Sequence, residues 1–347
     1  MSISVARYRL RFKHPFTTAH GTRDGTDAIF VRFEQDGLVG YGEAALPPYL
    51  DETADGVVAA IQGFRSPGVI DPAGIGTVVH RVERTLHHSP AAANALTMAI
   101  LDLCAQQMDL PLWKFMASTD PNGCRTTVTL SVADMREVPE RLAALPSSSI
   151  LKVKLGTIDD LELLSLINRM DTRQLLLDAN EALEDVDEVQ KLLDQCGGRA
   201  IGIEQPFGRS EWGKHRTLQE GIALPVIADE SVRSTDDLIN ANGIFGGVNI
   251  KLMKCGGLEA AKAMITTARL SSMTVMLGCM SESSLGCTAM AHLAGRADWV
   301  DLDGPLLIEN DPFIGLDQSE AGVSLPERRS GIGATLKADL EFTHIIS

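Results

Sequence analysis

The sequence predicts an α/β protein, a TIM-type (β/α)7β barrel with an N-terminal α+β capping domain. Two observations carry this prediction. From residue 126 onward, short apolar runs alternate with helix-like segments at almost constant spacing. Before residue 125 the order differs, with strand patterns first and helix patterns after them.

In the first part, "VARYRLRF" and "AIFVRFEQDGLVGYGEA" alternate apolar and polar residues as half-buried strands do, and Gln35-Asp36-Gly37 supplies a hairpin turn. Three helical patterns follow: "TADGVVAAIQGF", "IGTVVHRVERTLHH" and "SPAAANALTMAILDLCAQQMDL". The last opens with Ser89 at a cap position and Pro90 at the first helical position. His80, His87 and His88 fall in a predicted outer helix and read as surface residues.

The second part holds eight strand candidates, at 127–132, 150–155, 174–180, 200–206, 225–231, 247–253, 274–280 and 299–305. Reference positions 130, 154, 178, 204, 229, 251, 277 and 301 are separated by 24, 24, 26, 25, 22, 26 and 24 residues, room for a helix in each interval. Alternating strands and helices require a parallel sheet, and eight such strands close into a barrel. An open doubly wound sheet is the alternative, but no strand is followed by the glycine-rich dinucleotide fingerprint. The expected domains are therefore a cap over 1–125, a barrel over 126–305, and a segment, 306–347, that packs back on the cap.

A formal net charge of -15 excludes a nucleic-acid or anionic-membrane partner of the kind that needs a basic stripe. Six cysteines are scattered without a CxxC pair, as expected of reduced thiols in a cytoplasmic protein. Charges interrupt the N-terminal apolar residues, so no secretory signal is expected, and no apolar run approaches the ~18 residues of a membrane helix. The expected assembly is a homo-oligomer.

In a barrel of this type the chemistry sits at the C-terminal ends of the strands. The run "ILKVKL" puts two lysines, Lys152 and Lys154, on one face of an otherwise apolar strand. The third to fifth strands end in Asp178 with Asn180, in Glu204, and in Asp229 with Glu230. The sixth ends in Lys251 and Lys254, the eighth in Asp301 and Asp303. A lone aspartate at a strand end is ordinarily a turn residue. Three carboxylates on consecutive strands form instead an oxygen-only set for a hard cation such as Mg²⁺. Strands two and six are opposed in a ring of eight, so Lys154 and Lys251 would face each other across the mouth.

That constellation suits removal of a proton from a carbon next to a carboxylate, with the cation stabilising the enediolate. One base on each face inverts the carbon. A lysine base needs its pKa drawn toward neutrality, and the ammonium of Lys152 beside Lys154 is expected to do this.

"LKVKLG", "LDAN", "IEQP", "ADES" and "NIKLMKCGG", in this order and spacing, resemble the enolase superfamily and within it the muconate lactonizing enzyme subgroup. "DLDGP" at 301–305 resembles the Asp-x-Asp motif of its dipeptide epimerases, and the preceding "MLGCM" at 276–280 is also similar to that group. The resemblance implies Asp178, Glu204 and Asp229 as ligands of one Mg²⁺, with Mn²⁺ possible, and Lys154 and Lys251 as acid/base catalysts. It implies that Asp301 and Asp303 anchor the α-ammonium of a dipeptide, and that Asn180 and Glu230 orient ligands or bases. Lys152 and Met280 are counted among substrate-contacting groups, Met280 being equally readable as packing. Lys254 reads as a helper near the metal or a solvated residue.

Substrate side chains would be read by cap loops, here 17–27 and 45–53. Arg23 suits the acidic side chain of L-Ala-D/L-Glu, a fragment of peptidoglycan, whereas Pro47, Pro48, Tyr49 and Leu50 suit an L-Ala-hydrophobic dipeptide. Alternatives are a cycloisomerase, lyase or N-acylamino acid racemase of the same superfamily, of the muconate cycloisomerase or o-succinylbenzoate synthase type, which leaves the Asp-x-Asp motif unexplained. A non-catalytic metal- or dipeptide-binding protein would not need two opposed lysines.

Overall fold

The computed structural model describes residues 1–346 apart from 19, 20, 66, 67, 147, 149 and 328. The cap begins with three antiparallel strands, β1 (Ser2–Thr18), β2 (Gly21–Gln35) and β3 (Leu38–Leu46). Asp36 and Gly37 form the predicted turn between β2 and β3 with φ of 53° and 81°. Two consecutive positive φ values match the twist of the flanking strands. Helices α1 (Ala54–Gly63), α2 (Ile75–Thr85), α3 (Pro90–Gln107) and the short α4 (Leu112–Phe115) follow.

Helix α3 is buried from Ala91 to Cys104 and onward to Ala105, and its alanine-rich surface lets it lie directly on β3. The approach is so close that a Cβ at Gly40 or Gly42 would stand 2.0 Å or 1.9 Å from the carbonyl oxygens of Ala99 or Ala95. Only glycine fits these two positions.

The expected loop 17–27 is mostly strand: β1 runs to Thr18 and β2 starts at Gly21, while residues 19 and 20 lie outside the described set. It is a hairpin because backbone pairing continues to Thr18↔Gly21. In the other expected loop, 45–53, β3 extends to Leu46, a 3₁₀ turn covers Pro48–Leu50, and Thr53 caps α1 through Gly56 N.

The barrel strands are β4 (Thr127–Leu130), β5 (Ile150–Lys154), β6 (Gln174–Asp178), β7 (Ala200–Glu204), β8 (Val226–Ala228), β9 (Gly247–Lys251), β10 (Thr274–Gly278) and β11 (Trp299–Asp301). Each pairs in parallel with the next, and a Thr126↔Val300 bridge joins the two ends. Between them lie α5 (Val138–Ala144), α6 (Asp160–Met170), α7 (Val186–Gln195), α8 (Trp212–Gly221), α9 (Thr235–Ala241), the single turn α10 (Leu252–Cys255), α11 (Leu258–Leu270) and α12 (Ser284–Ala291). A further turn, α13 (Gly304–Leu307), follows β11. Several strands stop earlier than the apolar runs suggest. After Asp178 and Glu204 the chain turns out of the sheet with positive φ, 43° at Asn180 and 37° at Gln205.

Period-two alternation then decides what fills the barrel. Ile150, Leu176, Ile227, Met276 and Trp299 form an apolar cluster of their own. Two residues further along the same strands stand Lys152, Asp178 and Asp301. An apolar floor therefore carries a charged layer at the C-terminal mouth.

The remaining chain forms β12 (Phe313–Ile314), β13 (Asp317–Ser319), β14 (Gly322–Ser324), β15 (Thr335–Leu336) and β16 (Thr343–Ile346). Strand β16 pairs antiparallel with β1. Among the described residues, no helix is long and apolar enough to cross a membrane.

Candidate active site

The mouth of the barrel is a buried network of ion pairs. Lys154 Nζ donates to Asp178 Oδ2 at 2.6 Å and to Asn180 Oδ1 at 2.8 Å, and it lies 5.9 Å from the centre of the Phe16 ring. On the opposed strand, Lys251 Nζ donates to Asp229 Oδ2 at 2.7 Å. Lys254 Nζ takes the other oxygen of Asp229 at 2.6 Å, with further bonds to the carbonyls of Asp229 and Asn249. It is therefore not a solvated residue.

Lys152 reaches three carboxylates at once. Its Nζ lies 2.8 Å from Asp178 Oδ2, 2.8 Å from Glu204 Oε2 and 2.6 Å from Asp301 Oδ2. Burial alone would lower its pKa, but Asp178, Asp301 and Glu204 outweigh burial and hold it well above the ordinary lysine value. Its charge balances three carboxylates. Lys251 is likewise held above its ordinary value, burial being overcome by Asp229. Lys254 is lowered, by burial and by Lys251 against the pull of Asp229.

The carboxylates divide in the same way. Burial pushes Asp178 and Asp229 up, yet their lysine partners bring both below the usual range. Glu204, buried between them, is raised to about 8 by burial and by the charge of Asp178. Its Oε1 accepts from Asn249 Nδ2 at 2.7 Å. Its Oε2, although near Lys152, receives no aligned hydrogen bond.

Among the described residues, no three His, Cys, Asp or Glu side chains close around one point as a metal would gather them. Ammonium groups stand between the acids instead. An all-oxygen donor set on β6 and β7 and just after β8, with a buried glutamate oxygen lacking a hydrogen bond, fits a hard divalent cation.

A cavity of about 60 Å³ opens above this layer, lined by Lys152, Lys154, Asn180, Glu230, Lys251, Asp301 and Asp303 among others. Asp178, Glu204 and Asp229 lie beneath it. Asn180 Nδ2 donates to Glu230 Oε1 at 3.1 Å, tying the Lys154 side to the Lys251 side. Burial, and then the charge of Asp229, raise Glu230 to about 7.

The two residues of the Asp-x-Asp motif are not equivalent. Asp301 accepts from Lys152 and from Thr127 Oγ1, both at 2.6 Å, which occupies its two oxygens. Asp303 accepts from Thr129 N at 2.8 Å and forms no ion pair among the described residues. It is raised to about 6 by burial and by Asp301.

The cap closes the cavity with Phe16, Arg23 and Tyr49. Arg23 lies over the Phe12 ring at 5.7 Å, and its Nη1 is buried without a hydrogen bond. Tyr49 OH donates to Met280 Sδ at 2.6 Å, which places Met280 at the join between cap and barrel. Sequence reasoning missed Asn249, which holds Glu204, and Gln205, whose Oε1 accepts from Asp229 N and Ser231 N at 3.0 and 3.1 Å. The signal for Asn249 was present: it shares the inward face of β9 with Lys251.

An α+β cap closed over a barrel whose mouth sets opposed lysines above a carboxylate layer defines a class built for proton transfer at carbon. The chain matches the mandelate racemase / muconate lactonizing enzyme N-terminal domain over residues 2–117 and the enolase C-terminal domain-like family over 135–340. It belongs to this branch of the enolase superfamily. It is 32% identical to an L-Ala-D/L-Glu epimerase of Bacteroides thetaiotaomicron, over 96% of this chain and 87% of that one. It is 31% identical to an L-Ala-D/L-amino acid epimerase of Maribacter sp., covering 97% and 99% of the two chains. Among solved structures it is similar to the dipeptide epimerase of Enterococcus faecalis V583 complexed with Mg and L-Leu-L-Tyr, with a TM-score of 0.85 at 27% identity over 96% and 99% of the chains.

Proposed function

We propose that this protein is a Mg²⁺-dependent dipeptide epimerase that inverts the α-carbon of the C-terminal residue. The observation that carries this reading is that Lys154 and Lys251, four strands apart in an eight-stranded ring, line one cavity. One lysine takes the α-proton from one face and the other returns a proton to the opposite face. Asp178, Glu204 and Asp229 would hold Mg²⁺, which supplies electrostatic stabilisation of the negative charge that develops on the substrate carboxylate. Lys152 adds fixed positive charge to the same layer. Asp303, without a cationic partner among the described residues, receives the α-ammonium, and Asp301 positions it through the shared charge network. A cycloisomerase would have no use for that free carboxylate.

Arg23, half-buried with its Nη1 enclosed without a hydrogen bond and with no carboxylate partner among the described residues, suits an acidic C-terminal side chain and so substrates of the L-Ala-D/L-Glu type. Cytoplasmic residence is part of the reading and accords with six free cysteines. Homo-oligomeric assembly is checked by light scattering.

The test is ¹H NMR in D₂O with Mg²⁺, using L-Ala-L-Glu and L-Ala-L-Phe. Loss of the C-terminal α-proton signal with growth of a second alanine methyl signal is the expected result, L-Ala-L-Glu reacting faster. Removing Mg²⁺ with a chelator is expected to stop the exchange, and adding it back to restore it. No exchange of any dipeptide, with turnover of N-acylated amino acids instead, would overturn the proposal. Asp303→Asn is expected to raise KM for dipeptides about tenfold, the loss of one charge-assisted contact.

A further inference from the structure

Resting on the dipeptide reading above, we propose that a second cavity, beyond Asp303, is the subsite for the side chain of the substrate's N-terminal residue, and that it takes an aliphatic side chain of leucine size. The cavity between the lysines measures about 60 Å³, which leaves little room beyond the reacting residue. Drug-sized ligands usually occupy pockets of roughly 300 Å³ or more. The neighbouring cavity measures about 380 Å³, and the two share Phe16, Thr129, Asp303 and Leu307 as lining residues.

Stereochemistry directs the side chain there. The N-terminal α-carbon carries the ammonium, the carbonyl and the side chain at tetrahedral angles. The carbonyl must lead toward Lys154 and Lys251, and the ammonium is held at Asp303. The side chain then points past Asp303 into the larger space.

Its walls include Leu130, Leu145 and Leu306, and among the described residues that line it the only acid is Asp303, which the ammonium occupies. Lys13 and Arg141 supply the cationic groups, Arg141 within 3.4 Å of Glu137. Apolar walls favour an aliphatic group over alanine's methyl, and a cationic lining without a free acid disfavours lysine or arginine side chains.

The test compares kcat/KM for L-Ala-L-Glu, L-Leu-L-Glu and L-Lys-L-Glu in the wild type and in Ala144→Trp. Ala144 is exposed, lines the larger cavity and touches none of the reacting groups. The wild type is expected to prefer L-Leu-L-Glu over L-Lys-L-Glu by about tenfold or more. A144W is expected to lower L-Leu-L-Glu turnover by about tenfold while L-Ala-L-Glu stays within about twofold. Equal loss on both substrates, or no change in either, overturns the subsite. Should A144W not fold, Leu145→Ala widens the same cavity and is expected to move preference from L-Leu-L-Glu toward L-Phe-L-Glu; an unchanged ranking overturns the proposal. A wild type that epimerises L-Ala-L-Glu but not L-Leu-L-Glu removes the subsite and leaves the epimerase standing. A wild type that exchanges no dipeptide removes both.

Discussion

At the scale of single residues, the site is a problem in placing positive charge. Four buried lysines face the carboxylates of Asp178, Glu204, Asp229 and Asp301, and isolated buried charges of either sign would be prohibitive. The pairing allows lysines to stand inside a barrel where leucine or valine would otherwise be found. Lys154→Ala and Lys251→Ala are each expected to lower epimerisation about 10³-fold, or about 4 kcal/mol. In D₂O each variant should still wash out the α-proton of one epimer only, because a single base reaches a single face. Retained exchange of both epimers in either variant would show that the second lysine is dispensable. These residues were legible because strand periodicity fixes which side chains enter the barrel, and the ends of eight strands can be counted from the sequence. The role of Lys152 was not legible: alternation puts it beside Lys154, but which carboxylates its amine reaches depends on strands 26 to 149 residues away in the chain.

At the scale of elements, the cap is fastened to the barrel through the start of α12. Glu43, on β3, is buried, and its carboxylate accepts from Ser283 N, Ser283 Oγ and Gly286 N at 2.8, 2.5 and 2.9 Å. It meets N–H groups at the start of α12, although burial and then the nearby Glu282 push its pKa up to about 8 against those hydrogen bonds. From the other side Asp311 accepts from Ser284 N and Oγ at 2.9 and 2.7 Å. Nearby, Glu282 Oε1 accepts from Met280 N at 2.8 Å, and Met280 meets Tyr49 of the cap. Glu43→Ala would leave three buried donors unsatisfied and is expected to cost about 3 kcal/mol, read as a lower urea midpoint. An unchanged midpoint would mean that water replaces the carboxylate. The alternation of "GLVGYGEA" correctly gives a strand with Glu43 in it. Nothing local shows that its partner lies 240 residues ahead. The cap hairpin reads as a loop for a different reason: its pairing from Phe16↔Arg23 to Thr18↔Gly21 is local, but the polar run of threonine, glycine and charged residues there carries no apolar alternation to mark a strand.

At the scale of the whole molecule, the C-terminal segment binds both domains. His292, buried beyond the end of α12, accepts from Trp113 N at Nδ1 and donates from Nε2 to the carbonyl of Ile332, at 3.1 and 3.0 Å. Burial lowers its pKa from 6.5 to about 4. The unfolded chain therefore binds a proton between those values that the folded chain refuses, so this contribution is intact above pH 6.5 and is lost as pH falls toward 4, by up to about 3 kcal/mol. His292→Gln, which offers an acceptor and a donor without titrating, is expected to flatten the pH dependence of stability across that window. A parallel slope in the variant would assign the effect to other groups. The pairing of β16 with β1 has a consequence of another kind. Val5 finds its partner at Thr343, so during synthesis the outer edge of the cap sheet waits for nearly the entire barrel to be made. Until then a long strand edge stands open, a surface on which half-made chains can stick to one another, and the ribosome-bound intermediate is the form of this protein that most needs shielding by a chaperone.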